Sequence, residues 1–372
     1  MNKSVILDIL DNLEKNAMFS MSLTSKELFH TNFWAWMLRK YPQIFTPVFY
    51  SQYNNKDKVE VLREYENTDL FLKIGNKSVI IENKLKSLPD KKQLERYNKN
   101  FLNQIEKTIL VSYFSPLFLS GYDELFSYDF LYEKILKCFE KKLTEIKNND
   151  RILIQSYLEL LNLLNKLLHS IDFNATDKID DLWEVIKDKE IQEKLKVINF
   201  AKTFERAFII KLTRWILNDF SDFDSLDAIN IDCGRDLNVY SDILFYFPGA
   251  WDEDENKRLD LCFLGISLWG KEYRYYAGLH KAQCGITATK NGRFDKANKI
   301  AGYKYLTDNY NWFFGQDDSC NWNGYSYDKE MYLYKKLDVS ELSVKELTEK
   351  AVKDLELIHF YLKPLRENAC QD

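Results

Sequence analysis

Apolar residues at the start of the chain recur at helical spacing. Within the first 20 residues they fall three or four positions apart, which is typical of the buried face of an amphipathic helix. The members of this face are Val5, Ile6, Ile9, Leu10 and Leu13. A second helical pattern covers residues 23–40 and ends at Tyr41-Pro42, because proline disfavours helix in the residue before it. We therefore expect two opening helices and no signal peptide.

The pattern then changes to strands. Residues 58–65 alternate between apolar and polar side chains, and residues 68–84 contain two apolar runs separated by Gly75-Asn76. A glycine followed by asparagine between such runs predicts a two-residue hairpin turn. A helix over residues 87–101 and a short strand over residues 107–114 are predicted next. The order of helix, three strands, helix and strand indicates an α/β core rather than a helical bundle.

The rest of the chain divides by its pattern into two parts. Residues 128–217 have mainly helical spacing, and consecutive strand patterns follow them until a closing helix at residues 343–361. We predict a core over residues 1–125, a helical extension over residues 126–220, and a C-terminal α+β region of unknown role over residues 221–372. The tryptophans of this last region favour core packing over base stacking: Trp251, Trp269, Trp312 and Trp322.

Composition narrows the class of protein. A chain of 372 residues with 45% hydrophobic and 29% charged residues is typical of a globular protein. Its net charge of −5 counts only weakly against a protein that binds nucleic acid, because a local basic patch can bind phosphates in a chain of negative net charge. The six cysteines include no CxxC pair, so we expect neither a zinc site nor a disulfide framework. No apolar run approaches the ~18 residues that span a bilayer, and we expect a cytoplasmic protein with no membrane partner.

The predicted hairpin brings two acids together. If Gly75-Asn76 is the turn, Asp69 lies directly opposite Glu82, and Lys84 shares their face of the sheet. Opposed like charges destabilise a strand pair, and one of the two carboxyl groups should have a raised pKa. A divalent cation between the oxygens would remove this repulsion. The pattern therefore favours a metal-dependent hydrolytic site over a pair of solvated acids on an edge strand.

Asp69 followed by Glu82-Asn83-Lys84, in this order of elements, resembles the PD-(D/E)xK nuclease superfamily. Gln93 and Tyr97 match the Q-x-x-x-Y signature of its RecB-like branch, and Glu27 lies on the first core helix, where many members carry another acid. The resemblance covers residues 24–114. It implies a restriction-endonuclease-like core: a helix, a three-stranded meander, a helix and a strand.

The resemblance also implies a role for each residue of the motif. It places Mg²⁺, for which Mn²⁺ can substitute, on oxygens of Asp69, Glu82 and the Asn83 carbonyl. Lys84 would orient the attacking water or stabilise the charge that develops on the phosphate. Gln93 and Tyr97, one helical turn apart, would position the lysine, a water or the DNA backbone. Thr68 stands where the family has proline.

Several neighbouring residues have two interpretations. Glu27 completes a capping box that begins at Thr24, so helix capping and a metal-site role are both open. His30 lies one turn later, and we expect it to support the ligands from behind rather than to bind the ion. A basic cluster beside the motif is either a solvated face or a phosphate-binding surface. Its members are Lys86, Lys91, Lys92 and Arg96.

The leading hypothesis is a metal-dependent phosphodiesterase that hydrolyses DNA, in prokaryotic genome defence or restriction by analogy with the family. RNA is open as a substrate, as are internal and terminal cleavage. A second hypothesis is a catalytically inert nuclease-fold module that binds nucleic acid or a protein partner. A third is an unrelated α/β protein whose hairpin acids are incidental. A homo-oligomer or a protein partner bound through residues 221–372 is also open.

Overall fold

The structure is a computed structural model that describes most of the chain. The described residues are 1–22, 26–86, 105–114, 122–233, 239–247, 261–280, 296–314, 322–327 and 330–369. The chain forms two compact units: unit 1 comprises Met1–Asp172 and Lys189–Phe204, and unit 2 comprises Phe173–Asp188 and Glu205–Asp372. The predicted division at residues 125 and 220 stays a prediction, because compactness alone does not define a domain.

The described elements make this a mixed α/β protein with two sheets. The helices are α1 (Lys3–Lys15), α2 (Ala17–Ser22), α3 (Lys26–Lys40), α4 (Pro42–Phe49), α5 (Tyr128–Lys141), α6 (Asn148–Ser170), α7 (Ile179–Ile186), α8 (Lys189–Val197), α9 (Ala201–Asp219), α10 (Lys296–Asn309), α11 (Asn311–Phe314) and α12 (Val344–Ala369). The strands are β1 (Val59–Arg63), β2 (Leu70–Ile74), β3 (Lys77–Lys84), β4 (Ile105–Ser112), β5 (Glu124–Ser127), β6 (Ala228–Cys233), β7 (Val239–Tyr246), β8 (Leu261–Trp269), β9 (Glu272–His280), β10 (Trp322–Tyr327) and β11 (Glu330–Asp338). None of the helices in the described part of the chain is long and apolar enough to cross a membrane.

The two opening helices are confirmed with one change in the apolar face. Ile6, Ile9, Leu10 and Leu13 are buried in α1, whereas Val5 is 47% exposed because it lies at the margin of that face. The break expected at Tyr41-Pro42 is present: α3 ends one residue earlier, and the proline then begins α4. Proline suits the first position of a helix, where its missing N–H is not needed.

The sheet of unit 1 has the strand order β1-β2-β3-β4-β5. The first three strands form an antiparallel meander, and β4 and β5 continue the sheet in parallel. The predicted hairpin register is confirmed, since Ile74 pairs with Lys77 across the turn. Gly75 has a φ of +60°, which glycine adopts without strain. β3 therefore lies in the middle of the sheet, between an antiparallel and a parallel neighbour.

The sheet of unit 2 has the order β10-β11-β9-β8-β7-β6, and each neighbouring pair is antiparallel. The closing helix extends beyond its predicted end at residue 361 and continues through Pro364 to Ala369. Its last turns are held by Arg366, whose guanidinium donates to the carbonyls of Ser225 and Tyr246. This long-range anchor is a reason why local sequence signals ended the helix too early.

Candidate active site

The two opposed acids lie where β2 begins and β3 ends. Glu82 belongs to β3 and is fully buried, and Asp69 immediately precedes β2. Because Leu70 pairs with Ile81, the same register sets Asp69 against Glu82. A turn at Tyr65–Asn67 delivers the chain to this point, and the Thr68 hydroxyl donates to the Tyr65 carbonyl at 2.7 Å. This hydrogen bond thus helps to fix the backbone immediately before Asp69.

Each acid has a polar partner from β3. An oxygen of the Asp69 carboxyl group accepts the backbone N–H of Asn83 at 2.7 Å. The Lys84 ammonium donates to Glu82 Oε1 at 2.6 Å, and only 13% of the lysine side chain is exposed. The lysine and the two acids that the sequence predicted to share one face are therefore neighbours.

The electrostatics of this pair are those of two buried like charges. Burial raises the pKa of Asp69 to about 7, and the nearby charge of Glu82 adds to the rise. The N–H of Asn83 and the charge of Lys84 act in the opposite direction. Burial by itself lowers the pKa of Lys84, but attraction by Glu82 and Asp69 outweighs this effect and raises the lysine pKa. Near neutral pH, Lys84 is charged and Asp69 is close to its titration midpoint.

Asn83 braces the end of β3 from the opposite side. Its side chain is buried, donates to the carbonyl of Glu27 at 3.0 Å and accepts from the Tyr128 hydroxyl at 2.9 Å. These two bonds tie β3 to α3 and α5. Tyr128 was not predicted from the sequence. A buried amide does require several partners, but nothing in the local pattern says which residue provides them.

Glu27 is held against the chain that leaves β3. Its Oε1 accepts the backbone N–H groups of Leu85 at 3.0 Å and of Lys86 at 2.9 Å. The Glu27 side chain therefore joins α3 to the two residues that follow β3. The alternative capping role with Thr24 involves a residue that lies outside the described part of the chain.

His30 lies in the core behind the site. It is 1% exposed, and its Nδ1 is 2.8 Å from the hydroxyl of Tyr157. The same hydroxyl accepts the Trp34 indole N–H at 2.6 Å. The His30 ring also packs edge-on against Tyr128, which in turn holds Asn83. This arrangement agrees with a supporting role for His30.

Ser112 is a further residue at this end of the sheet. It pairs with Lys84 across the parallel β3–β4 ladder, which sets the two side chains on the same face. Its hydroxyl is buried and has no hydrogen-bond partner among the described residues. A buried hydroxyl usually has a hydrogen-bond partner, and water is a common one. No sequence motif singled out this serine.

Much of the predicted phosphate-binding surface falls outside the described residues. This applies to Gln93 and Tyr97 of the Q-x-x-x-Y signature, to the predicted helix over residues 87–101, and to the basic residues Lys91, Lys92 and Arg96. Lys86 is the member of the basic cluster that the structure describes. It is partly buried, which lowers its pKa, while the charge of Glu27 opposes that change.

The donor set suits a hard divalent cation. Asp69 and Glu82 supply two carboxylates whose mutual repulsion a cation would relieve, and Mg²⁺ commonly binds to one or two carboxylates while keeping several waters. Among the described residues, no group of three His, Cys, Asp or Glu side chains is arranged to hold a metal ion. If the pair holds Mg²⁺, water would supply most of the remaining coordination positions.

Comparison with known proteins gives no match to a family model, to a curated protein or to a solved structure. Function must therefore be inferred from the side chains and their geometry.

Proposed function

We propose that this chain is a metal-dependent nuclease that hydrolyses DNA phosphodiester bonds through a PD-(D/E)xK-type site. The observation that carries the proposal is the buried pair Asp69 and Glu82 with Lys84 bonded to Glu82 at 2.6 Å. Two like charges inside a sheet reduce stability, and strained electrostatics of this kind concentrate at functional sites. A purely structural role for opposed acids has no comparable physical reason.

The order of strands around the acids supports the same function. A three-stranded meander followed by a further strand agrees with the order of strands that the resemblance implies, and the predicted helix between them lies outside the described residues. Within it, Glu82 and Lys84 lie at the carboxyl end of β3. The side chains therefore project from the end of a central strand that is held on both sides, which suits a rigid active site.

Each side chain has a chemical task in this proposal. Asp69 and Glu82 would hold Mg²⁺ or Mn²⁺, which when bound supplies Lewis acidity and neutralises charge on the scissile phosphate. Lys84 keeps its proton near pH 7 and is aimed by its bond to Glu82, so it donates hydrogen bonds to the attacking water or to a phosphate oxygen. Asn83, held by Tyr128, keeps the strand end in place.

The experiment that tests this proposal is a cleavage assay on the full chain. Linear duplex, circular duplex and single-stranded DNA, with RNA in parallel, are incubated in Mg²⁺ or Mn²⁺ and with EDTA. The Glu82→Gln/Lys84→Ala double variant removes the proposed chemistry. A matched control is Lys77→Ala/Glu106→Gln, which removes the 2.8 Å ion pair at the other end of β3.

We expect metal-dependent cutting by the wild type and by the control, and at least a ~100-fold loss in the active-site variant. Equal cutting by all three proteins would contradict the assignment of the site. No cutting of any substrate with either metal would favour the inert nuclease-fold module. Circular DNA as a substrate would indicate an endonuclease, and a requirement for ends an exonuclease.

A further inference from the structure

A hydroxyl group lies beside Lys84 on the neighbouring strand. Ser112 ends β4 and pairs with Lys84, which ends β3, in the parallel ladder between the two strands. The pairing is fixed at this point, because the N–H of Tyr113 donates to the carbonyl of Lys84 at 2.9 Å. Neighbouring strands lie about 4.8 Å apart, and paired residues point to the same face of the sheet. The side chains of Ser112 and Lys84 are therefore direct neighbours.

The Ser112 hydroxyl differs from the other hydroxyls on its face of the sheet. The residue is fully buried, and its Oγ has no hydrogen bond within the described part of the chain. Thr108, earlier on β4, donates to Asp123 at 2.8 Å. Ser127, which pairs with Ser112 on β5, accepts the N–H of Phe130 at 3.1 Å. Burying a hydroxyl is costly unless it is hydrogen-bonded, and alanine would fill the same space without that cost. The serine therefore calls for a partner in a second state of the site.

Lys84 has hydrogen-bond donors to spare. An ammonium group carries three N–H donors, and among the described residues Lys84 bonds to one acceptor, Glu82 Oε1, at 2.6 Å. Only 13% of the lysine side chain is exposed, so water has little access to the remaining donors. A hydroxyl oxygen on the adjacent strand is a suitable second acceptor, since the stem of a lysine is flexible. A donor and an acceptor that both need a partner thus lie on neighbouring strands.

A cation on the acid pair would compete with Lys84 for Glu82. The Glu82 side chain is 1% exposed, so the ammonium group and the ion would share one buried carboxylate. Two positive charges repel each other more strongly there than in water, because the local dielectric constant is lower. The ammonium group then gains by moving away from Asp69 and β2. Ser112 lies in that direction, because β2 and β4 flank β3 on opposite sides.

We propose that Ser112 is a positioning residue for Lys84. When a divalent cation occupies Asp69 and Glu82, the Ser112 hydroxyl accepts a hydrogen bond from the ammonium group and holds it on the β4 side of the ion. Lys84 then keeps a fixed direction toward the attacking water or the phosphate, while Glu82 serves the cation. This inference rests on the proposed function, and its test separates the failure of one from the failure of the other.

The test combines Mn²⁺ binding, cleavage and unfolding of the full chain. Ser112→Ala removes the hydroxyl, and it is made both alone and together with Lys84→Ala. The matched control is Ser241→Ala, because Ser241 is also a fully buried strand residue whose hydroxyl has no partner among the described residues, but it lies on β7 of unit 2. Mn²⁺ binding is followed by electron paramagnetic resonance, kcat and KM are measured on the DNA that the wild type cuts, and urea unfolding is measured in EDTA.

We expect Ser112→Ala to bind Mn²⁺ about tenfold more weakly and to lower kcat about tenfold, with the KM for DNA unchanged. In the Lys84→Ala background the same change should affect neither quantity, because Ser112 acts through the lysine. The urea midpoint in EDTA should not fall, since the metal-free protein loses no hydrogen bond. The control Ser241→Ala should bind Mn²⁺ and cut as the wild type does.

Three results would overturn the role of Ser112 while leaving the nuclease assignment in place. They are wild-type Mn²⁺ binding and cleavage by Ser112→Ala, an equal loss of Mn²⁺ binding in the Lys84→Ala background, and a lower urea midpoint, which is the mark of a purely structural serine. A wild-type protein that neither binds Mn²⁺ nor cuts DNA would contradict the proposed function itself, and the role of Ser112 with it.

Discussion

Replacing Asp69 with asparagine is expected to stabilise the metal-free protein at pH 8. Burial and the charge of Glu82 raise the Asp69 pKa from 3.8 to about 7, so ionising this carboxyl group in the folded protein is costly. At about 1.4 kcal/mol per pKa unit, the cost is at most about 4 kcal/mol. Asparagine carries no charge and can still accept the N–H of Asn83, so the variant avoids the cost and keeps the hydrogen bond.

The sign of the pH dependence follows from proton binding. Between about pH 4 and pH 7 the folded state binds the Asp69 proton more tightly than the unfolded chain does, so stability falls as the pH rises through this window. At pH 4 the wild type and Asp69→Asn should therefore have similar stability. The difference between them should grow until about pH 8 and then level off.

The assay is urea unfolding in EDTA at pH 4 and pH 8, with hydrogen exchange in β2 and β3 as a local readout. Glu60→Gln is the control, because Glu60 is an exposed acid on β1 of the same sheet. Saturating Mg²⁺ should recover part of the wild-type stability at pH 8, by about 2.7 kcal/mol at 100 times the dissociation constant, and should stabilise Asp69→Asn by no more than about 1.4 kcal/mol if the variant binds tenfold more weakly. A variant that is less stable than the wild type at pH 8 would refute the reasoning.

Three further substitutions test separate parts of the structure. Lys84→Ala should reduce cleavage by at least ~100-fold while metal binding, followed by calorimetry, stays intact; unchanged turnover would remove the lysine from the mechanism. Tyr157→Phe should lower the free energy of unfolding by about 1–3 kcal/mol, because the buried Trp34 N–H loses its acceptor; an unchanged urea midpoint would contradict this. Gly270→Ala should lower the melting temperature, since its φ is +62° and a Cβ would lie 2.5 Å from Trp183; an unchanged temperature would show that the turn adapts.

The parts of the site that could be predicted from the sequence are those fixed by local geometry. A two-residue turn at Gly75-Asn76 sets the register of the hairpin, and the register alone determines that Asp69 faces Glu82. The period of two along β3 then places Lys84 on the same face. These relations involve residues that are close in the chain, so the sequence alone predicts them.

The parts that were missed depend on contacts between distant segments. Tyr128 reaches Asn83 across 45 residues, and Tyr157 reaches His30 across 127 residues. For Glu27 the sequence left helix capping and a metal-site role open, and neither includes the N–H groups just after β3, 58 and 59 residues away, that its carboxylate accepts. Such contacts depend on tertiary packing, and local sequence propensities do not predict them.

The same limit applies to secondary structure at the edges of the core. The strand β5 has four residues and was not predicted, because so short a run gives no clear alternation. It is nevertheless held in parallel beside β4.

The central claim is that Asp69 and Glu82 form a divalent-metal site, and metal binding tests it without knowledge of the substrate. Mn²⁺ binding is measured by electron paramagnetic resonance for the wild type, Asp69→Asn, Glu82→Gln and the control Glu106→Gln. We expect Mn²⁺ to bind to the wild type and the control, to be displaced by excess Mg²⁺, and to bind at least tenfold more weakly to both active-site variants. Mn²⁺ that does not bind to the wild type, or that binds equally to all four proteins, would contradict the account.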